Sequence, residues 1–272
     1  MRWSEAAWQV RAGVILITGA ARGIAQYRAD LLMTVLAGSL HQGIGFLTIW
    51  VVLGRFHQVA GWSVTDIGFM YGMRLTSHGL ALLPLNQLIS LEEYVREGTF
   101  DRFLVRPVNP LIQLLSTRIQ LNTIGDLLAG LTLLGASMPL VNITWTAGPL
   151  LFLTAALIGG ALLEGGYQLG LSALTFRTLG TRQIRLTVDT VFSLYGSYPI
   201  KVFGRAGEWV LTTVVPVALV AFLPASVLLG HVSDLHVPVV LGYVSPLAGV
   251  AVFVAASAFW GRQLRHYQGA GN

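Results

Sequence analysis

The residues of this chain that could do chemistry are few, and most lie in apolar surroundings. Arg74 and His78 stand four apart in the hydrophobic stretch 67–89, so one helix face carries both. Asp126 lies in the hydrophobic stretch 110–135, and Glu164 in 148–175. An ionised side chain inside a membrane span costs roughly 2.5–3.5 kcal/mol by insertion scales, so each should face protein or water and have a partner. Arg74 and Asp126 fall at similar depth in neighbouring segments and form the expected ion pair, serving either packing or a substrate. Glu164 is the best-placed intramembrane carboxylate, for function or for a structural hydrogen bond. His41, alone in 31–53, reads as a packing residue. His231 and His236 flank Asp234, but their spacing does not match a metal-binding helix, and they read as surface histidines.

The densest run of charge is 92–107, with Glu92, Glu93, Arg96, Glu97, Asp101, Arg102 and Arg106. Gly98 interrupts its helical pattern. Thr99 is expected to cap a new short turn, with Asp101 near the positive end of the helix dipole. Pro107 should stop that turn, and Asn109-Pro110 should restart a helix with Asn as cap. The result is a short helix lying crosswise at a membrane surface. Its apolar residues, Phe100, Phe103 and Leu104, would press either into a partner or onto lipid.

The elements that must position these groups follow from composition. Only 11% of residues are charged, against about 25% in a soluble domain. Hydrophobic residues make up 54%, and the mean hydropathy is +0.68. The fold class is therefore all-α, a polytopic membrane helical bundle. The net charge of +5 is explained by basic residues on one membrane face and points to no nucleic acid. Absence of cysteine excludes disulfide, iron–sulfur and thiolate-zinc chemistry. The single lysine, Lys201, lies outside any GxxxxGK[ST] loop, so a phosphate loop of that kind would have to come from another polypeptide. No HExxH or GxSxG occurs either.

The spans are expected at 31–53, 67–89, 110–135, 148–175 and 237–260, with an amphipathic interfacial helix over 1–29 and a tail over 261–272. The fifth is open on hydropathy: 184–203 carries Arg185, Asp189 and Lys201, whereas 209–230 is more apolar but cut by Pro216 and Pro224. Lys and Arg concentrate in the first segment, in 90–110, in 177–185 and at Arg262 and Arg265. That bias puts both termini and the charged stretch in the cytoplasm, with an even number of spans, six.

Three stretches carry a resemblance covering nearly the whole chain. They are Arg96–Pro107, Tyr198-Pro199-Ile200-Lys201-Val202-Phe203-Gly204, and Val215-Pro216-Val217-Ala218 with Leu223–Gly230. They resemble the permease subunit of ABC-2 type transporters, in a bacterial branch. The resemblance implies six spans with 184–203 as the fifth and 205–230 as an outer re-entrant hairpin. That leaves Lys201 and Arg205 outside, against the charge rule. It also implies an exporter in the bacterial inner membrane, built from two permeases, identical or different. Two copies of a separate ATPase would hold the ATP and magnesium, and the permease would be no enzyme and carry no cofactor of its own. The 90–107 stretch is similar to a coupling helix. On that likeness Glu92, Arg96, Glu97, Asp101, Arg102 and Arg106 make polar contacts to the ATPase, and Phe100 and Phe103 are its buried anchors. The apolar path suits an amphipathic or hydrophobic substrate. The rival readings are an ion-coupled carrier using Glu164, Asp126 and Asp189, supported if internal repeats existed, and a scaffold that recruits a soluble protein.

Overall fold

The computed structural model describes residues 28–56, 61–117, 122–233 and 235–267, with residue 58 and a few positions within 8–19. The interfacial helix expected over 1–29 lies largely outside the described residues. Among the described residues the chain is helical and has no strand.

Five long helices form the bundle: α1 (Arg28–Phe56), α2 (Val64–Leu85), α6 (Asn122–Ser137), α7 (Ala147–Ala173) and α11 (Val240–Leu264). Between α2 and α6 come three short helices, α3 (Leu91–Arg96), α4 (Asp101–Leu104) and α5 (Pro110–Leu115). After α7 follow α8 (Thr181–Tyr195), α9 (Gly204–Thr213) and α10 (Phe222–Leu229). Among the described residues two elements are both long and apolar enough to cross a membrane, α7 with its 3-10 extension to Phe176, and α11. The 29 residues of α1 reach about 43 Å at ~1.5 Å per residue, beyond the ~30 Å hydrocarbon core.

The packing order is α1 on α6, α6 on α2, α2 on α7, and α7 on α11. Lipid offers no hydrophobic drive between helices, so van der Waals contact must hold them. The sequence answers with glycine. A Cβ on Gly72 or Gly79 of α2 would strike the backbone of Leu134 or Leu127 in α6, and one on Gly130 would strike the amide of Thr76. The glycine-rich face expected on α7 is used in the same way. Gly159 lies against the Pro246 backbone, and a Cβ on Gly249 of α11 would run into the carbonyl of Gly159.

Two expected spans are not continuous. The 110–135 segment is helical to Leu115, turns at Ser116 and Thr117, and is described again as the helix Asn122–Ser137. Ser116 and Thr117 turn their hydroxyls back to the carbonyls of Ile112 and Leu114 at 2.7 and 2.6 Å, occupying acceptors near the helix end. The 184–203 segment is helical only to Tyr195. Gly196 closes that helix onto the carbonyl of Phe192, and Pro199 biases Tyr198 away from α. At 15 residues α8 is about 22 Å long, short of the core thickness. The stretch from Ile200 to Leu229 is a series of short helices, with Val217–Ala225 buried. The 209–230 segment is interrupted at Pro216, whereas Pro224 lies within the first turn of α10.

Replacing Gly249 by Ala should cost about 1–3 kcal/mol by overpacking the α7–α11 crossing. Gly135→Ala, where a methyl group meets nothing within 4 Å, should gain up to about 1 kcal/mol of helix propensity. Thermal unfolding in detergent of the two variants beside wild type checks both signs.

Candidate functional site

The charged stretch is a folded knob at one end of the bundle. Glu97 and Gly98 donate to the carbonyls of Glu93 and Val95, and Phe100 donates to Tyr94 at 3.0 Å, closing α3. This closure needs a residue of positive φ at Gly98, which stands at 69°. Thr99 does not cap α4 as expected. Its hydroxyl turns back to the Tyr94 carbonyl, and Phe100 occupies the cap position without a side-chain bond. Asp101 lies in the first turn of α4, and Asn109 caps α5 by accepting from Leu111 N–H, with Pro110 in the first turn; both match expectation.

Phe100 and Phe103 are 0% and 3% exposed. They are buried in this chain itself. Phe100 packs on Phe176, Tyr267 and Phe103, and Phe176 packs on Trp260. Their expected role as anchors inserted into a partner does not fit this burial. A phenylalanine at an amphipathic position fits either seat equally well on pattern alone. The buried Gln113, which sequence reasoning passed over, ties the loop down by donating to the carbonyls of Phe103 and Val108. What the knob presents outward is Arg96, Glu97, Asp101, Arg102, Arg106 and the apolar pair Leu104 and Val105, the last 83% exposed. The Arg102 guanidinium sits 4.9 Å over the rings of both Tyr94 and Phe103.

Glu92 points elsewhere. Its carboxylate accepts from Arg182 N–H at 2.7 Å and from the Thr181 hydroxyl at 3.4 Å, at the start of α8. The Arg182 amide chiefly holds its carboxyl below the usual range, against a smaller effect of burial. The seat formed by Phe176, Trp260 and Tyr267 brings 92–106, the loop after α7 and residues 260–267 to one end of the bundle. Arg177, Arg262 and Arg265 belong to those segments, and Arg182 to the first turn of α8 beside them.

The intramembrane polar residues divide into two groups. Asp126 accepts from Gln42 Nε2 at 2.9 Å, and Tyr71 donates to the same Gln42 at 3.4 Å. The expected Arg74–Asp126 pair is not formed. The real ion pair joins α2 to α7: His78 Nδ1 meets Glu164 Oε1 at 2.5 Å, with Glu164 1% exposed. Gln168, one turn on, accepts from Arg185 Nε and donates to Asp189, both on α8. Ligand atoms of His78, Glu164 and Asp189 lie within 4.8 Å of one another, a spacing that suits a shared proton or a cation. Arg74 and Arg185 lie within electrostatic range of these carboxylates. Arg74 and Arg185 already balance the two acids, so a divalent ion would leave surplus positive charge in a low dielectric. Glutamines 42 and 168 escaped sequence reasoning because it followed ionisable groups, and an uncharged amide carries no charge to be paired.

At the opposite end two histidines once read as surface residues are partnered. His236 Nδ1 and its backbone N–H both meet the fully buried Glu208 of α9, at 2.8 and 3.0 Å. His231 stacks on Trp62 and reaches Asp66, the residue that closes the capping box of α2 with Ser63. Asp234 lies outside the described residues.

With this geometry in view, comparison with known proteins gives the class. The ABC-2 family of transporter proteins matches residues 40–271, and the chain belongs to that family. It is a permease of ABC-2 type, an integral membrane protein of a transporter system with a partner ATPase. No curated protein and no solved structure matches it significantly.

His78→Ala should leave the Glu164 charge buried and unpaired, at a cost of about 3–5 kcal/mol. Adding Glu164→Leu should recover most of that loss, and a double-mutant cycle on thermal unfolding reads the coupling. The Glu92 cap has a pH signature. Its carboxyl is depressed in the folded state, so its stabilisation is present above the ordinary value of 4.5 and is lost as pH falls through the lower folded value. Amide exchange at residues 181–183 measured from pH 7 downward should show that loss in wild type and a smaller slope in Glu92→Gln.

Proposed function

We propose that this chain is the membrane-spanning subunit of an ATP-driven exporter of the bacterial inner membrane, working as a dimer of permeases. A separate ATPase, in two copies, docks on the knob formed by α3 and α4. The observation that carries this reading is the division of labour within 91–106. Its aromatic residues fasten the knob to the bundle, while its charged residues and Leu104-Val105 are turned outward. A lipid-facing helix would turn its aromatics out and hold its apolar side to the bilayer. Here the outward side mixes Arg96, Glu97, Asp101, Arg102 and Arg106 around two aliphatics, a composition suited to a protein groove with a polar rim.

The gathering of the basic stretches at that same end supports a cytoplasmic position for it. ATP binding closes the ATPase dimer, the knobs move with it, and the helices behind them switch between two arrangements. Intramembrane roles for Arg74, His78, Asp126 and Glu164 follow as internal ties that keep the bundle rigid during this switch. The His78–Glu164–Asp189 cluster also favours a second reading, an ion-coupled carrier that needs no ATPase. Asp126, in a separate hydrogen-bonded chain, would take no part in it.

The test is co-purification from the native membrane in mild detergent. Wild type should bring down an ATPase with a phosphate-binding loop. Leu104→Asp with Val105→Asp should lose it by at least tenfold, with the thermal stability of the permease unchanged. Phe100→Ala should lose it by another route, since emptying that buried site costs about 3–5 kcal/mol of the permease's own stability. An intact wild-type protein that captures no ATPase, and whose proteoliposomes show ion flux, would support the carrier instead.

A further inference from the structure

α8 is attached to the bundle unlike any of the five long helices. It leans mainly on α7, and much of its surface is exposed, including Gln183, Thr187, Thr190 and Ser193. Two polar fastenings hold it. The inner one is Gln168 of α7, clamped between Arg185 and Asp189. The other lies at its first turn. A helix begins with four amides that have no partner in the helix, and a side-chain oxygen at the cap position commonly accepts one of them. The cap position of α8 is Gly180, at φ 89°, which has no side chain to offer. The acceptor comes instead from Glu92, ninety residues back in sequence and in the first turn of α3. A carboxylate is also the favourable charge at that end of the helix dipole. Thr181 is held from its other side by the Thr175 hydroxyl.

α3 is the front half of the knob, and Glu92 lies on its inner side. We infer that Glu92 is the positioning residue that carries movement of the knob to α8, by capping that helix from the outside. The inference rests on the permease reading above and adds the part that moves. A shift of the knob draws the first turn of α8 with it, because the charge-assisted bond to Arg182 N–H is the shorter of the two hydrogen bonds by which Glu92 holds that turn. The recess lined by Tyr71 of α2, by Thr190 and Ser193 of α8 and by Ser197 just beyond it then changes shape. Phe176 and Trp260 seat the knob on α7 and α11, which are packed along their lengths, so that it pivots on that frame while the less firmly held α8 follows.

The experiment is amide hydrogen exchange on the purified permease–ATPase complex in lipid nanodiscs, with and without ATP and vanadate. Wild type, Glu92→Ala and Glu92→Gln are compared, and the glutamine variant retains an oxygen that can accept the Arg182 amide. In wild type, nucleotide should change exchange across residues 181–190 at least threefold, with residues 155–170 of α7 little changed. Glu92→Ala should still capture the ATPase but lose that nucleotide-dependent difference, and Glu92→Gln should keep part of it. A purely local cap would give a different result. It would raise exchange at 181–183 by about fivefold, the equivalent of a lost cap of ~1 kcal/mol, and leave the nucleotide-dependent difference intact. That result overturns the inference, as does a hydrolysing wild-type complex with no change at 181–190. Both leave the permease reading standing. Absence of any ATPase in the wild-type preparation overturns that reading, and the inference falls with it.

Discussion

Helix contact at backbone distance is the constraint on which the rest of this bundle depends. Apolar side chains gain little by leaving lipid for protein, so helices must meet closely enough for dispersion to hold them. Gly72, Gly79 and Gly130 bring α2 onto α6, and Gly159 with Gly249 bring α7 onto α11. Gly160 lies against Ser77, one residue from His78, so the α2–α7 approach is close where the His78–Glu164 pair forms. A buried ion pair is tolerable only when its geometry is good. The polar centre therefore depends on glycines that make no polar contact themselves.

The knob at one end follows a different rule. It is held by an aromatic cluster of Phe100, Phe103, Phe176, Trp260 and Tyr267, and by the glutamine clamp of Gln113. Edge-to-face aromatic pairs have preferred geometry and add to the area they bury. They seat a six-residue and a four-residue helix, neither of which would persist alone in water. The knob is thus rigid by virtue of what lies behind it, and its outer charges are free to meet another surface.

Much of this was legible in the sequence, and the residues show why. The extents of α1, α7 and α11 follow from long apolar runs, and the Asn109-Pro110 start and the Gly98 break follow from local backbone chemistry. The interruption of the 209–230 segment could be read from Pro216, though Pro224 sits inside α10 without breaking it. The break after Leu115 could not, because Ser116 and Thr117 are compatible with a continuing helix. Pairing was the least legible feature. Depth along a helix put Arg74 opposite Asp126, but rotation about the axis decides which side chains meet. His78 and Glu164 met instead. Direction failed in the same way at Phe100, where amphipathicity identified an anchor and gave no sign of which body it anchors to.

The aromatic seat of the knob is assembled from parts far apart along the chain. Phe100 and Phe103 lie near the first third, Phe176 at the end of α7, and Trp260 and Tyr267 at the end of α11. During synthesis the early pair emerges long before the late one, and until then two phenylalanine rings have only part of their cover. The seat closes when α11 has been made and packed against α7. The cover of Phe100 and Phe103 is thus a property of the folded bundle as a whole: without the residues from Trp260 onward those two rings would lie partly bare.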